Sequence, residues 1–165
     1  MQKTTENERH IISVVVENKP GVLARIVSLF SARGFNIESL NVGETEDSAL
    51  SRMTIVVSGD KKILEQVRKQ LSKLIDTLKV TELSDQPYIE SDLALVKIKA
   101  PAGKRGEIID LANVFRARIV DVSEKHITLE VSGKEEKIQS FINLAESYGI
   151  ADMVRAGRIA LKRGE

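Results

Sequence analysis

The chain is organised around one stretch, Ile11 to Gly43, whose pattern is that of a strand, a tight loop, a helix and a second strand. It begins with the apolar, β-branched run IISVVV, which is typical of a strand buried on at least one face. Apolar residues then recur at i, i+3, i+4 and i+7 between Leu23 and Phe30, which predicts a helix with one apolar face. Gly34 is expected just past the end of the helix with a positive φ, and strand character returns at 35–42.

The loop between the first strand and the helix is the part of this stretch that can bind a ligand. Asn18 is a candidate cap for the helix, and Pro20 is a candidate first-turn residue. Gly21 has no Cβ, so a ligand can approach the backbone there, and the N–H groups of a first helical turn suit a small carboxylate or phosphate. The same residues also occur where a loop merely joins a strand to a helix, so the spacing leaves both interpretations open.

The composition excludes several classes of function. The 165 residues include no cysteine, which excludes a disulfide framework, thiolate catalysis and thiolate metal ligands. The formal net charge of +1 provides no overall field that would attract nucleic acid or an anionic membrane. The polar N-terminal residues resemble neither a secretory signal nor an anchor, and no run of about 18 apolar residues occurs. We therefore expect a cytoplasmic protein with no membrane partner.

Two successive units with the element order βαββαβ are predicted. In the first, strands at 53–57 and 78–83 flank a helix that Asp60 caps. The second has strands at 93–100, 119–122 and 127–131, helices at 108–115 and 138–145, and a last strand at 150–161 that we expect to be irregular around Gly157. Between them, the polar segment SDQPYIESD breaks all periodicity. We expect one domain at 1–84 with its core at 10–84, a linker at 85–91, and a second domain at 92–165.

The element order predicts an α+β fold of two consecutive ferredoxin-like units. Right-handed crossovers would place both helices of each unit on one face of an antiparallel sheet and leave the other face uncovered. A unit of this size has a marginal core of its own, so association through sheet edges or open faces is favoured. We expect a dimer on this ground alone.

Few residues are suited to catalysis or to metal binding, and we predict neither kind of site. His10 and His126 each lie at the start of a predicted strand, where a structural role is favoured. The acidic residues Glu44, Glu46 and Asp47 share one hairpin loop, which is more often solvated than metal-binding.

Two basic segments are candidates for binding an acidic partner. The segment AGKRGE at 102–107 contains a GxxG sequence, but it joins a strand to a helix, and a flexible basic turn is the favoured interpretation. A basic patch is predicted near the C-terminus from Arg155, Arg158, Lys162 and Arg163. Because the predicted central strands carry no stacking aromatic residues, we expect no nucleic-acid partner.

Two motifs resemble a known family. The segment ENKPGVLARIVSLFSARGFNIESLNVG at 17–43, followed by LSRMTI at 50–55, resembles the ACT domain of the small, regulatory subunits of acetolactate synthase, also called acetohydroxyacid synthase. PGVLARI alone indicates only an ACT domain, a module of many amino-acid-sensing proteins, whereas NIESL followed by LSRMTI is much narrower. The similarity extends over nearly the whole chain and includes LVKI at 95–98 and IVDV at 119–122.

The resemblance implies a homodimer in which ACT domains pair edge to edge and bind L-valine between them. The matching residues are Asn18, Pro20, Gly21, Val22 and Leu23 of one chain, with Asn36 and Ile37 of the other. The carboxylate would meet helix-start N–H groups, and the ammonium would meet the side-chain oxygens of Asn18 and Asn36 or nearby carbonyls. The apolar residues of the set would accept the isopropyl group, with modest discrimination against isoleucine and leucine of about 1–3 kcal/mol. Some family members carry Ser in place of Pro20, so that residue need not be a specific contact.

The resemblance also implies a role in branched-chain amino-acid biosynthesis, including that of isoleucine. Small subunits of this family are not enzymes. They bind a catalytic subunit that carries thiamine diphosphate, FAD and Mg²⁺, raise its activity and make it subject to feedback inhibition by valine. That reaction joins two pyruvates, or pyruvate and 2-oxobutyrate. No cofactor is expected in this chain.

Two other functions are considered. A stand-alone amino-acid-binding ACT protein that regulates another enzyme or transcription is one, although transcriptional members usually carry a helix-turn-helix, for which no segment is found before Ile11 or after Leu161. An acylphosphatase-like enzyme of the same topology is the other. It would need a phosphate-binding loop with a catalytic Arg, and the ENKPG loop has none.

Overall fold

The secondary structure follows the predicted order through both units. The computed structural model describes residues 8–164, and every side chain among them except that of Ile63. Residues 1–7 of the predicted polar N-terminal segment lie outside the described residues. The first elements are β1 (Glu8–Glu17), α1 (Val22–Ser31), β2 (Ile37–Glu44), β3 (Leu50–Gly59), α2 (Lys61–Leu71) and β4 (Thr77–Glu82). The next are β5 (Tyr88–Lys99), α3 (Arg105–Phe115), β6 (Arg118–Val122), β7 (His126–Gly133), α4 (Glu135–Glu146), β8 (Ile150–Arg155) and β9 (Ile159–Lys162). Within the described range, no helix is long and apolar enough to cross a membrane.

The first sheet has the strand order β2-β3-β1-β4, and all neighbouring strands are antiparallel. Successive side chains of a strand point to opposite faces. Ile12, Val14 and Val16 of β1 therefore share a core with residues of α1 and α2, while Ile11 lies on the other face. Both helices cover one face of this sheet, and β2 and β4 form its edges.

The second sheet repeats this arrangement with the strand order β6-β7-β5-β8, again antiparallel. Ala94, Val96 and Ile98 of β5 face a core that α3 and α4 complete. Phe115 and Phe141 meet edge to face in this core, with ring centroids 5.4 Å apart and planes at 74°. The predicted fold class, two consecutive ferredoxin-like units with helices on one face of each sheet, is confirmed.

The second face of the first sheet is not fully uncovered, contrary to the prediction. Ile11 of β1, Val56 of β3 and Leu83 form a small buried cluster with Ala160 of β9, and Tyr88 packs against it. The C-terminal segment thus covers part of the face that the helices leave open.

The observed division of the chain also differs from the predicted domain limits. One compact unit comprises the chain up to Ile89 and again from Arg158, and the other comprises Glu90–Gly157. The irregularity predicted around Gly157 is confirmed, since β8 ends at Arg155 and β9 begins at Ile159. The Arg163 N–H, just after β9, donates to the Pro87 carbonyl over 2.9 Å. Part of the predicted linker 85–91 is strand, because β5 begins directly after Pro87.

Candidate functional site

The loop between β1 and α1 leaves the start of α1 without a side-chain cap. Gly21 is the N-cap residue, with φ 83° and ψ −12°, and no side chain accepts a hydrogen bond from the first turn. Its carbonyl accepts the Arg25 N–H over 3.1 Å, which closes the first turn. The N–H groups of Leu23 and Ala24 lie in that turn, where no preceding helical carbonyl can reach them. This backbone is suited to a small anion.

The prediction that Asn18 caps α1 is wrong, and so is the placement of Pro20 in the first turn. The Asn18 side-chain nitrogen donates to Glu44 Oε1 over 3.1 Å and to the Ser48 carbonyl over 3.0 Å. Asn18 therefore ties the loop to the β2–β3 hairpin, where these two acceptors lie. Pro20 precedes the N-cap residue, since α1 begins only at Val22.

The apolar residues of the predicted site differ in what they can offer to a ligand. The Val22 side chain is buried in the core of the first unit, so only its backbone remains for a ligand. Leu23 is 40% exposed on the outer side of the same turn. Ile37 is half-buried at the start of β2, where it pairs with Val57.

Asn36 and Ile37 lie at the opposite end of α1 from the loop. The ten residues of α1 separate the two groups, which corresponds to about 15 Å along the helix. Asn36 is exposed and lines a cavity of about 330 Å³, which is also lined by Arg33, Gly34, Phe35, Glu38, Ser58, Gly59 and Asp60. A single chain therefore does not bring the two predicted groups together. The prediction already assigned them to two chains, and it stays a prediction.

Gly59 allows Phe35 to hold the start of β2 in place. The Phe35 ring occupies the position where a Cβ on residue 59 would stand, and it also meets the buried Phe30 ring edge to face at 6.4 Å. Asn36 follows directly, so its backbone is fixed by the packing of its neighbour.

An ion pair that sequence reasoning missed lies beside the loop. Arg25 Nη2 is 2.5 Å from Oδ2 of Asp76, a residue that is 8% exposed and whose carbonyl accepts the Glu17 N–H over 2.9 Å. Arg25 is placed one helical turn after Gly21, so helical spacing alone puts it near the loop. Asp76 is 51 residues further on and gives no such signal. Lys19 pairs with Glu17, whose hydrogen bond and charge raise the pKa of that ammonium group.

The histidines and the acidic loop have structural surroundings. His10 is 3% exposed, with Nδ1 3.1 Å from Glu82 Oε1 and Nε2 3.3 Å from the Gly59 carbonyl oxygen. The His126 N–H donates to Ser123 Oγ in the β6–β7 turn. Asp47 Oδ1 accepts the Ala49 N–H and so shapes the hairpin loop. The residues that the structure describes contain no cluster of three or more groups able to hold a metal ion.

Several arginines of the two predicted basic segments are engaged in contacts within the fold. A short 3-10 helix, Ala102–Lys104, leads into α3, and Arg105 Nη2 donates to the carbonyls of Ser123 and Glu124, each over 2.5 Å. The C-terminal patch is divided, because Arg155 pairs with Asp92 at 2.6 Å and Arg158 is only 6% exposed. Both segments therefore support the fold.

Comparisons with known proteins agree over nearly the whole chain. Residues 91–164 match the family model described as the small subunit of acetolactate synthase, and residues 12–79 match the one described as an AHAS small subunit-like ACT domain. The probable acetolactate synthase small subunit of Archaeoglobus fulgidus is 56% identical over 94% of this chain and 98% of its own length. The acetolactate synthase small subunit of Mycolicibacterium smegmatis is 49% identical over 94% and 91%, respectively.

A solved structure extends the likeness to the backbone. The crystal structure of the acetolactate synthase small subunit from Thermotoga maritima has a TM-score of 0.87 and 38% identity, and covers 96% of this chain and 99% of that one. Family models, curated relatives and a solved structure thus agree with the motifs at 17–43 and 50–55. The chain belongs to the family of acetolactate synthase small subunits, the regulatory subunits of that enzyme.

Proposed function

We propose that this chain binds the catalytic subunit of acetolactate synthase, raises its activity and makes it sensitive to feedback inhibition by L-valine. The chain itself would be non-catalytic, and we expect both subunits in the cytoplasm. Thiamine diphosphate, FAD and Mg²⁺ would be carried by the catalytic subunit. Family membership supports this role, and the uncapped start of α1 supports an effector with a carboxylate.

The proposed valine site uses the atoms that the loop leaves available. The carboxylate would accept hydrogen bonds from the first-turn N–H groups of Leu23 and Ala24. The two N–H bonds of the Asn18 side chain are directed to Glu44 and Ser48, so its carbonyl oxygen is the atom left for an ammonium group. The exposed Leu23 side chain would contact the isopropyl group.

The remaining groups would come from a second copy through the β2 edge. When two copies of an edge strand pair antiparallel about a two-fold axis, the start of one lies beside the end of the other. Ile37 begins β2 and Glu44 ends it, and Asn18 contacts Glu44. Pairing of two β2 strands would therefore bring Asn36 and Ile37 of one copy close to Asn18 of the other. This Asn18–Glu44 contact is the observation that carries the proposal of a shared site.

Regulation would follow from differential affinity. Valine can change the activity of the catalytic subunit only if it binds one arrangement of the regulatory dimer more tightly than another. Binding of valine and of the catalytic subunit must then influence each other equally.

The test is calorimetric titration of the purified dimer with L-valine, with L-leucine, L-isoleucine and D-valine alongside. We expect saturable L-valine binding, and a loss of about tenfold or more in Asn36→Ala, because a hydrogen bond to a charged group is worth about 1.5–3 kcal/mol. Asn113→Ala, an exposed Asn on α3, is the matched control and should bind as the unaltered chain does. A confirmed dimer that binds no L-valine would contradict the proposed effector site.

Reconstitution with a catalytic subunit tests the regulatory role. We expect addition of the chain to raise acetolactate formation and L-valine to lower it, with Asn36→Ala activating but responding weakly to valine. A chain that leaves the catalytic rate unchanged would contradict the proposed role as an activator.

A further inference from the structure

Arg25 lies beside the β1–α1 loop, with one terminal nitrogen on a carboxylate and the other near Gly21. Nη2 is 2.5 Å from Asp76 Oδ2. A Cβ built on Gly21 would stand 3.5 Å from Nη1. One edge of the guanidinium is therefore tied to a carboxylate, while the other lies next to the backbone at which α1 begins.

Asp76 fixes this orientation because it is itself held in place. Its side chain is 12% exposed, whereas that of Arg25 is 51% exposed. Its carbonyl accepts the Glu17 N–H, which joins the end of β1 to the connection between α2 and β4. The cation thus projects from an anchored carboxylate toward solvent above the loop.

We propose that the Nη1 edge of Arg25 binds the carboxylate of the amino-acid effector, together with the uncapped N–H groups of α1. The inference rests on the proposed function, because it assigns a further residue to that same site. Guanidinium groups bind carboxylates through short, charge-assisted hydrogen bonds, and the N-terminus of a helix attracts the same charge. A Cβ on residue 21 would stand 3.5 Å from Nη1, so the guanidinium and the start of α1 border the same position.

This arrangement selects for a free carboxylate. An amino-acid amide keeps the ammonium and the side chain of its parent but has no negative charge to place between Arg25 and the helix start. Asp76 would act as a positioning residue, because it contacts the guanidinium rather than the effector. The site should therefore discriminate strongly between L-valine and L-valinamide, although both carry the same isopropyl group.

The test compares these two ligands by calorimetry on the full chain, with L-valinamide measured by its displacement of bound L-valine. We expect Arg25→Gln to weaken L-valine binding about tenfold and to change L-valinamide binding by less than about twofold. Arg25→Lys keeps the positive charge, so it should lose less affinity for L-valine than Arg25→Gln does. It also allows the measurement if the Gln variant fails to fold.

Arg118→Gln is the matched control. Arg118 pairs with Glu130 at 2.9 Å on the surface of the second unit, and its loss should leave both affinities unchanged. If Arg25→Gln weakened both ligands equally, or left L-valine binding intact, the carboxylate contact would be excluded while the valine site stood. If the unaltered chain bound no L-valine, the proposed function would fail and this inference with it.

Discussion

At the scale of single residues, the two glycines that flank α1 show how backbone conformation is encoded. The positive φ predicted for Gly34 is confirmed at 72°, and Gly21 adopts one of 83°. The sequence indicated only that Gly21 lacks a Cβ, because the spacing alone placed the cap at Asn18. Glycine at the N-cap has no side chain to accept a hydrogen bond, so the first turn is uncapped, and this is the feature on which the proposed ligand site depends.

Gly21→Ala tests whether this conformation is required. An added Cβ would lie at ordinary contact distance from Arg25 Nη1, so the cost should come from the left-handed backbone, about 1–2 kcal/mol in the free energy of unfolding. Gly103→Ala is the matched control, because its Cβ would meet no atom within 4 Å and its φ is not positive. Urea unfolding measures the free energy of unfolding of both variants. Equal values for the two would contradict the strain assigned to residue 21.

The Arg25–Asp76 pair shows why part of the site is not readable from the sequence. Helical spacing places Arg25 near Gly21, but the carboxylate that orients it comes from a connection 51 residues away. Asn18 was misassigned for a similar reason, since its acceptors Glu44 and Ser48 are 26 and 30 residues distant. Local propensity favours a cap at such a residue, yet a folded hairpin offered better-placed acceptors.

At the scale of elements, periodicity predicted strands and helices in both units because each has one buried face. The caps were predicted unevenly. Asp60 is confirmed as the N-cap of α2, and its Oδ1 accepts the Lys62 N–H over 2.7 Å. The first turn of this helix contains Lys61 and Lys62 and no acidic residue, so Asp60 is the negative group nearest to the positive end of the helix.

Asp60→Ala should therefore destabilise the first unit by about 1 kcal/mol, the usual cost of losing a side-chain cap. Thermal unfolding followed by circular dichroism measures this loss as a lower midpoint. Asp110→Ala removes an exposed Asp from within α3, where it caps nothing, and should leave the midpoint unchanged or slightly raised because alanine favours helix. A midpoint for Asp60→Ala equal to that of the control would mean that the cap contributes nothing.

At the scale of the whole molecule, the repeated βαββαβ order was sufficient to predict two ferredoxin-like units. It did not predict which side chains of the last strand, β9, are buried. Ile159 and Leu161 are the larger apolar residues of the last strand, so alternation would turn them toward a core. The structure exposes both and buries the small Ala160 instead. Hydropathy could not indicate this choice, because it depends on contacts with Ile11, Val56 and Leu83, which are distant in sequence.

Ala160→Asp should consequently destabilise the first unit, although residue 160 follows the second unit in sequence. Ala160 is 4% exposed in an apolar cluster, and burying a carboxylate there without a partner costs several kcal/mol unless the segment detaches. Ile159→Asp is the matched control. Ile159 is adjacent to Ala160 but is 52% exposed, so its substitution should cost less than about 1 kcal/mol. Because β9 contacts β1, hydrogen exchange of β1 amides distinguishes the outcomes. Faster exchange in Ala160→Asp alone is the expected result, and the same rates in both variants would mean that β9 does not stabilise the first sheet.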